Sequence, residues 1–201
     1  MAYSDFSARD LIQRFGVRFK AANLFTNAPL IEPSQWLVEA LERGQALGFN
    51  SEKSRSERLV TPILLELSQL NPHTFTIYSG MNLDVDEVAG LKGECDFIFS
   101  YSRIQDFVTA PVFCITEAKK QDLEQGIIQA SAQLLGANRM NEAEGQPIDT
   151  LYGCSTTGIE WRFIQYHRNE ISIDERRYLL TDLPELLGAL QAVIDRGKQP
   201  S

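Results

Sequence analysis

Two short apolar runs, followed at once by an amphipathic helix with its own cap, constrain this chain more than any other feature. Glu94–Tyr101 and Pro111–Ala118 are dense in aromatic and β-branched residues and too short for typical helices, so they read as strands. Asp122 then opens a different period. Leu123, Ile127, Ala130, Leu134 and Ala137 recur at helical spacing and give one apolar face. Asp122 can cap that helix, with Gln125 three residues on to complete a capping box. Two strands feeding a helix of this kind call for a sheet with the helix packed across it.

The flanking segments extend the pattern. Phe6, Leu11, Ile12 and Phe15 recur at helical spacing, Asn27–Pro33 breaks the pattern, and Gln35–Leu47 carries Trp36, Leu37, Ala40 and Leu41 on a second helix. Ser54–Leu70 is a third helix, in which Pro62 predicts a kink or a late start. His73–Tyr78 alternates as a half-buried strand and Gly80-Met81-Asn82 reads as the turn after it. Ile148–Cys154 and Ile159–Tyr166 are strands around a Ser-Thr-Thr-Gly turn, with Ile171–Leu180 as another strand. Asp182 and Pro184 start a last helix carrying Leu186, Leu187, Leu190 and Ile194. The expectation is one α/β domain over residues 1–201: a central mixed β-sheet flanked by α-helices. Its parts are a helical N-terminal extension over 1–50, a core over 54–180, a C-terminal helix over 182–196 and a frayed tail over Arg196–Ser201.

Composition excludes some functions. A chain of 201 residues with 43% hydrophobic content can bury a core without disulfides or a structural metal. Cys95, Cys114 and Cys154 lie in apolar strand-like stretches, where cysteine packs as a small hydrophobe. With no Cys-x-x-Cys pair and only His73 and His167, a zinc site is not expected, and both histidines read as structural or exposed. The net charge of −8 rules out a wholly basic nucleic-acid coat but not a local basic patch. No signal peptide and no membrane-length apolar run is visible, so a cytoplasmic protein without membrane contact is expected.

The charges of the central segment need an explanation. Residues two apart on a strand share a face, so Glu117 and Lys119 stand together at the end of an otherwise apolar strand. That is costly in a dry sheet and reasonable if the strand opens into a polar site. If the two strands pair as a hairpin, Asp96 approaches Glu117. Two adjacent carboxylates repel, a divalent cation between them removes the repulsion, and oxygen ligands suit Mg²⁺ or Mn²⁺. A lysine beside such a pair outlines a metal-dependent phosphodiesterase.

Asp96, the Glu117-Ala118-Lys119 tripeptide and the helix after them resemble the PD-(D/E)XK, or restriction-endonuclease-like, nuclease superfamily. Its helix–strand–strand–strand–helix–strand core is similar to the order read here from about Ser54 to Cys154, roughly half of the chain. The resemblance implies Asp96 and Glu117 as metal ligands, the Ala118 carbonyl as a third, and Lys119 as the catalytic lysine. It also implies supporting roles for Glu57, on the helix before the sheet, and for Gln129, on the helix after the lysine, with Gln133 one turn further along. Cys95 stands where many members have proline. The activity implied is Mg²⁺- or Mn²⁺-dependent hydrolysis of nucleic acid, DNA rather than RNA.

The competing reading keeps the same fold without catalysis, as a binding or complex-forming module, and the acidic balance favours it. The first fifty residues are candidates for an interaction element, in a homodimer or a larger complex. Lys53, Arg55, Arg58, Arg162, Arg168, Arg176 and Arg177 are candidates for a phosphate-facing side or for scattered solvation, and Lys120 reads as a surface residue opposite Lys119.

Overall fold

A computed structural model describes residues 1–197. It is α/β, with a mixed eight-stranded sheet between helices. The helices are α1 (Ala8–Phe15), α2 (Gln35–Ala46), α3 (Glu52–Arg55), α4 (Thr61–Leu70), α5 (Leu123–Ala143) and α6 (Leu183–Gly197). The strands are β1 (Arg18–Ala22), β2 (Thr76–Asn82), β3 (Glu94–Ser100), β4 (Val112–Ala118), β5 (Thr150–Thr156), β6 (Glu160–His167), β7 (Glu170–Asp174) and β8 (Tyr178–Leu179). Arg196 and Gly197 end α6, so the expected fraying does not begin at Arg196, and the rest of the predicted tail, 198–201, lies outside the described residues.

The strands run in the order β1-β7-β6-β5-β4-β3-β2, with β8 beside β6. β2, β3 and β4 form an antiparallel meander. β5 is parallel to β4, a pairing that needs a crossover, and α5 supplies it. One sheet face packs on α2, α4 and α6 through residues such as Leu37, Leu64, Phe113 and Leu190. The other packs on α5 and the N-terminal residues through Tyr3, Leu11, Ile98, Ile115, Ile127 and Leu134. The predicted stripe on α5 is buried in full. Asp122 caps the helix, its carboxylate accepting the Gln125 N–H at 2.8 Å. The reciprocal half of the box is absent, because the Gln125 amide turns outward to the Ser4 carbonyl.

Three expectations need correction. The first fifty residues are not wholly helical: Arg18–Ala22 is a strand, parallel to β7 at the sheet edge. Its alternation is too short and too charged to register as a strand when read alone. Gly80-Met81-Asn82 is not a turn but the second half of β2, whose pairing runs on to Asn82↔Glu94. Trp36, grouped with Leu37 and Leu41 on the second helix, does not share their burial. It stands 51% exposed beside buried Leu37, since neighbouring helical residues point about 100° apart.

Pro62 stands in the first turn of α4, in keeping with the late start, but helical winding of another kind precedes it. The chain from α3 to α4 is continuous, and Ser56–Val60 between them winds as a wide π-helical turn just ahead of the proline. A proline offers no N–H and crowds the preceding turn, and the wider winding accommodates it. Gly44 of α2 sits against this turn so closely that a Cβ there would lie 2.4 Å from the Arg58 carbonyl oxygen. Gly44→Ala is therefore expected to destabilise the fold by about 1–3 kcal/mol, as overpacked sites do. Urea unfolding checks this; an unchanged midpoint would show that α2 simply slides aside.

Candidate active site

The β3–β4 pairing runs through Phe97↔Thr116, and one further step places Asp96 across from Glu117. Both acids lie where β4 and β5 end and α5 begins, at the carboxyl ends of the parallel strands. Backbone groups and side chains of several elements converge there by topology alone.

The structure brings together most of the residues singled out in the sequence. Glu117 is buried, 1% exposed. Gln129 donates to its Oε2 at 2.9 Å, and Gln133 donates to its Oε1. Gln129 Oε1 in turn accepts from the Lys119 ammonium at 2.8 Å, which lies 3.4 Å from Glu117 Oε2. The two glutamines, one helical turn apart, thus fix both the carboxylate and the lysine from the face of α5. Asp96 Oδ2 accepts the Ala118 N–H at 2.7 Å, so Ala118 meets the acid pair through its backbone. The Lys119 N–H is spent on the Thr156 carbonyl of β5, which anchors the strand end.

Burial raises the pKa of both acids. Glu117 is pushed up to about 7, first by desolvation and then by the charge of Asp96, against the opposing pull of Gln133 and Lys119. Asp96 is raised by desolvation, offset in part by the Ala118 N–H and by Lys119. The pair is therefore short of positive charge.

Among the described residues no group of three His, Cys, Asp or Glu gathers to hold a metal ion. Two carboxylates nevertheless fit Mg²⁺ or Mn²⁺, which keep waters and take further oxygens from a substrate phosphate. A carboxylate has room for about four contacts, and each acid here uses only part of that capacity within the protein. The donor set is all hard oxygen, which suits the same ions.

Asp96 opens onto a cleft of about 770 Å³ whose opposite wall is α3 and the π-helical turn. Glu57 lines that cleft, but it is exposed and pairs with Lys53 at 3.9 Å. Sequence reasoning missed Glu52. Its Oε1 accepts the Lys120 N–H at 3.2 Å, and its charge acts on Asp96. At about 100° per residue, Glu52 and Glu57 would stand roughly 140° apart on an α-helix. Both nevertheless line the cleft, Glu52 from the first residue of α3 and Glu57 from the π-helical turn, and no sequence period announces it. Lys120, expected on the surface, is exposed and also lines the cleft.

Gly126, in the first turns of α5, lets the helix settle on the site. A Cβ there would lie 2.0 Å from the Ser155 Oγ and 3.0 Å from the Lys119 Cγ. Gly126→Ala is expected to displace the lysine and to lower any activity of the site by more than tenfold, because small misplacements are costly in a positioned site. Steady-state rates on a folded variant check this, and an unchanged rate would detach Lys119 geometry from α5. No protein-family model and no curated protein matches the chain.

Proposed function

We propose that this protein is a divalent-metal-dependent hydrolase of phosphodiester bonds in DNA, built on a restriction-endonuclease-like core. The observation that carries the reading is buried Glu117 paired with part-buried Asp96, with Lys119 held beside them by Gln129. A desolvated acid pair next to a positioned ammonium destabilises a fold unless the group has work to do. The segment from α4 through the β2–β3–β4 meander, α5 and β5 supports the core assignment in element order and in strand direction.

Asp96 and Glu117 would hold the ion, with the Ala118 carbonyl nearby. A bound Mg²⁺ would polarise the phosphoryl group and lower the pKa of a water. The remaining work falls to the chain. Gln133 and Gln129 hold the Glu117 carboxylate in one orientation, so its oxygens need no reorganisation on binding. Gln129 keeps the Lys119 ammonium at the edge of the pair, where it donates to phosphoryl oxygen as negative charge builds in the transition state. Glu57 and Glu52 stand across the cleft from Asp96 and orient solvent or a leaving strand.

The test is cleavage of labelled DNA by metal-stripped protein with Mg²⁺ or Mn²⁺ restored, beside Asp96→Ala. The expected result is metal-dependent cleavage that the variant loses. Cleavage by wild type and variant alike would refute the site. Saturable metal binding without cleavage would favour the non-catalytic module, the reading suggested by the net charge of −8.

A further inference from the structure

The distribution of positive charge, more than the site itself, bears on what the cleft can take. Half of the described lysines and arginines are already in ion pairs with carboxylates. Arg176 with Glu185 at 2.8 Å and Arg177 with Glu160 at 2.6 Å are examples from the set read as phosphate-facing candidates. Others from that set are committed to the backbone. Arg55 donates to the Thr157 carbonyl, Arg58 to those of Leu47 and Gly48, and Arg162 to that of Asp174. An arginine paired with an acid brings that acid to any polyanion it meets, so the pair neutralises little.

Within the cleft the balance is sharper. Lys53 faces Glu57, which leaves Lys120 as the cleft cation whose side chain makes no polar contact among the described residues. Its N–H is tied to Glu52 at 3.2 Å, which fixes it on the rim beside Asp96. The other described cations that are exposed without such contacts are Arg9, Arg103 and Arg168, on α1, the β3–β4 loop and the β6–β7 turn, away from the cleft lining. A duplex carries one charge per ~1.7 Å, and a protein grips it by neutralising many phosphates at once. Among the described residues this cleft offers one cation free of carboxylate and carbonyl partners.

Resting on the nuclease reading, we infer that the substrate is a short or single-stranded oligonucleotide, held at the scissile linkage and at one or two neighbouring phosphates, with Lys120 as the phosphate-positioning residue. Long duplex is not gripped along its length.

The experiment follows kcat/KM with Mg²⁺ for a thymidine trinucleotide, a labelled 20-nucleotide single strand and the matching duplex, between 50 and 200 mM KCl. One or two phosphate contacts on a single strand give a fall of roughly 3- to 7-fold over that range. The trinucleotide is expected to be cut within about tenfold of the 20-mer, and the duplex more slowly. Lys120→Ala is expected to raise KM and to flatten the log–log salt slope by about 0.7, with kcat little changed. A fall of a hundredfold or more with salt, or a preference for duplex, overturns the inference and leaves the nuclease reading intact. Cleavage of none of the three overturns that reading and this inference with it. A Lys120→Ala slope equal to wild type removes the lysine from the phosphate.

Discussion

Lys119→Ala is expected to lower the rate of phosphodiester cleavage by about 10²–10³-fold, the usual effect of deleting one preorganised donor to developing charge. The effect should fall on kcat, because the part-buried ammonium is held against Glu117 and Gln129 and has little reach toward the ground-state substrate. Gln129→Leu tests the same geometry from the other side. It leaves the lysine in place but removes the amide that aims it, so a smaller loss, of about tenfold, is expected. Single-turnover rates at saturating Mg²⁺ separate the two. Full activity of Lys119→Ala would remove this lysine from the chemistry.

The second large effect concerns stability. Glu117 titrates near 7 in the fold, against about 4.5 when exposed. A folded-state pKa raised above the unfolded one means that the unfolded chain releases its proton first as the pH rises. Stability is then fully present below about 4.5 and is lost as the pH rises to about 7. At 1.36 kcal/mol per unit this amounts to about 3 kcal/mol for the metal-free protein. Asp96, raised for the same chief reason, acts in the same direction. Glu117→Gln removes the charge and is expected to be more stable than wild type above pH 7, by up to the same amount. Its new amide needs an acceptor, and the buried Gln133 Oε1, which has no hydrogen-bond partner among the described residues, supplies one if that side chain flips. Urea unfolding in EDTA at pH 4.5 and 7.5 measures the difference. Parallel pH profiles for the two proteins would contradict the burial argument. The same substitution is expected to abolish metal binding, so the site trades stability for its proposed activity.

How much of this was legible in the sequence depends on range. β3 and β4 were readable as short apolar runs and α5 by its helical period, and Asp96, Glu117, Lys119 and Gln129 all sit on them or at their ends. The convergence of those side chains followed from strand pairing and helix period. Gln133 was placed on the same helix face, but its contact with Glu117 depends on how closely α5 lies on the sheet, which Gly126 decides. β1 escaped notice because a five-residue edge strand of mixed polarity gains its identity from β7, far along the chain. Glu52 escaped because it opens a four-residue helix, too short to show a period, and it meets the site through the Lys120 N–H, far along the chain.

The pairing of β1 with β7 also sets a timetable. Arg18 aligns with Glu170 and Ala22 with Asp174. β1 must wait for a partner strand that lies roughly 150 residues further along the chain. At about 5–20 residues per second of synthesis, the wait is roughly 8–30 s. Through that interval the meander and α5 can assemble, while the far side of the sheet stays open and its neighbouring strands lack their border. The newborn chain therefore passes through a stage with unpaired backbone on view, the kind of surface that other chains can join. A ribosome-stalled chain ending before residue 170 is the species in which that exposure would be greatest.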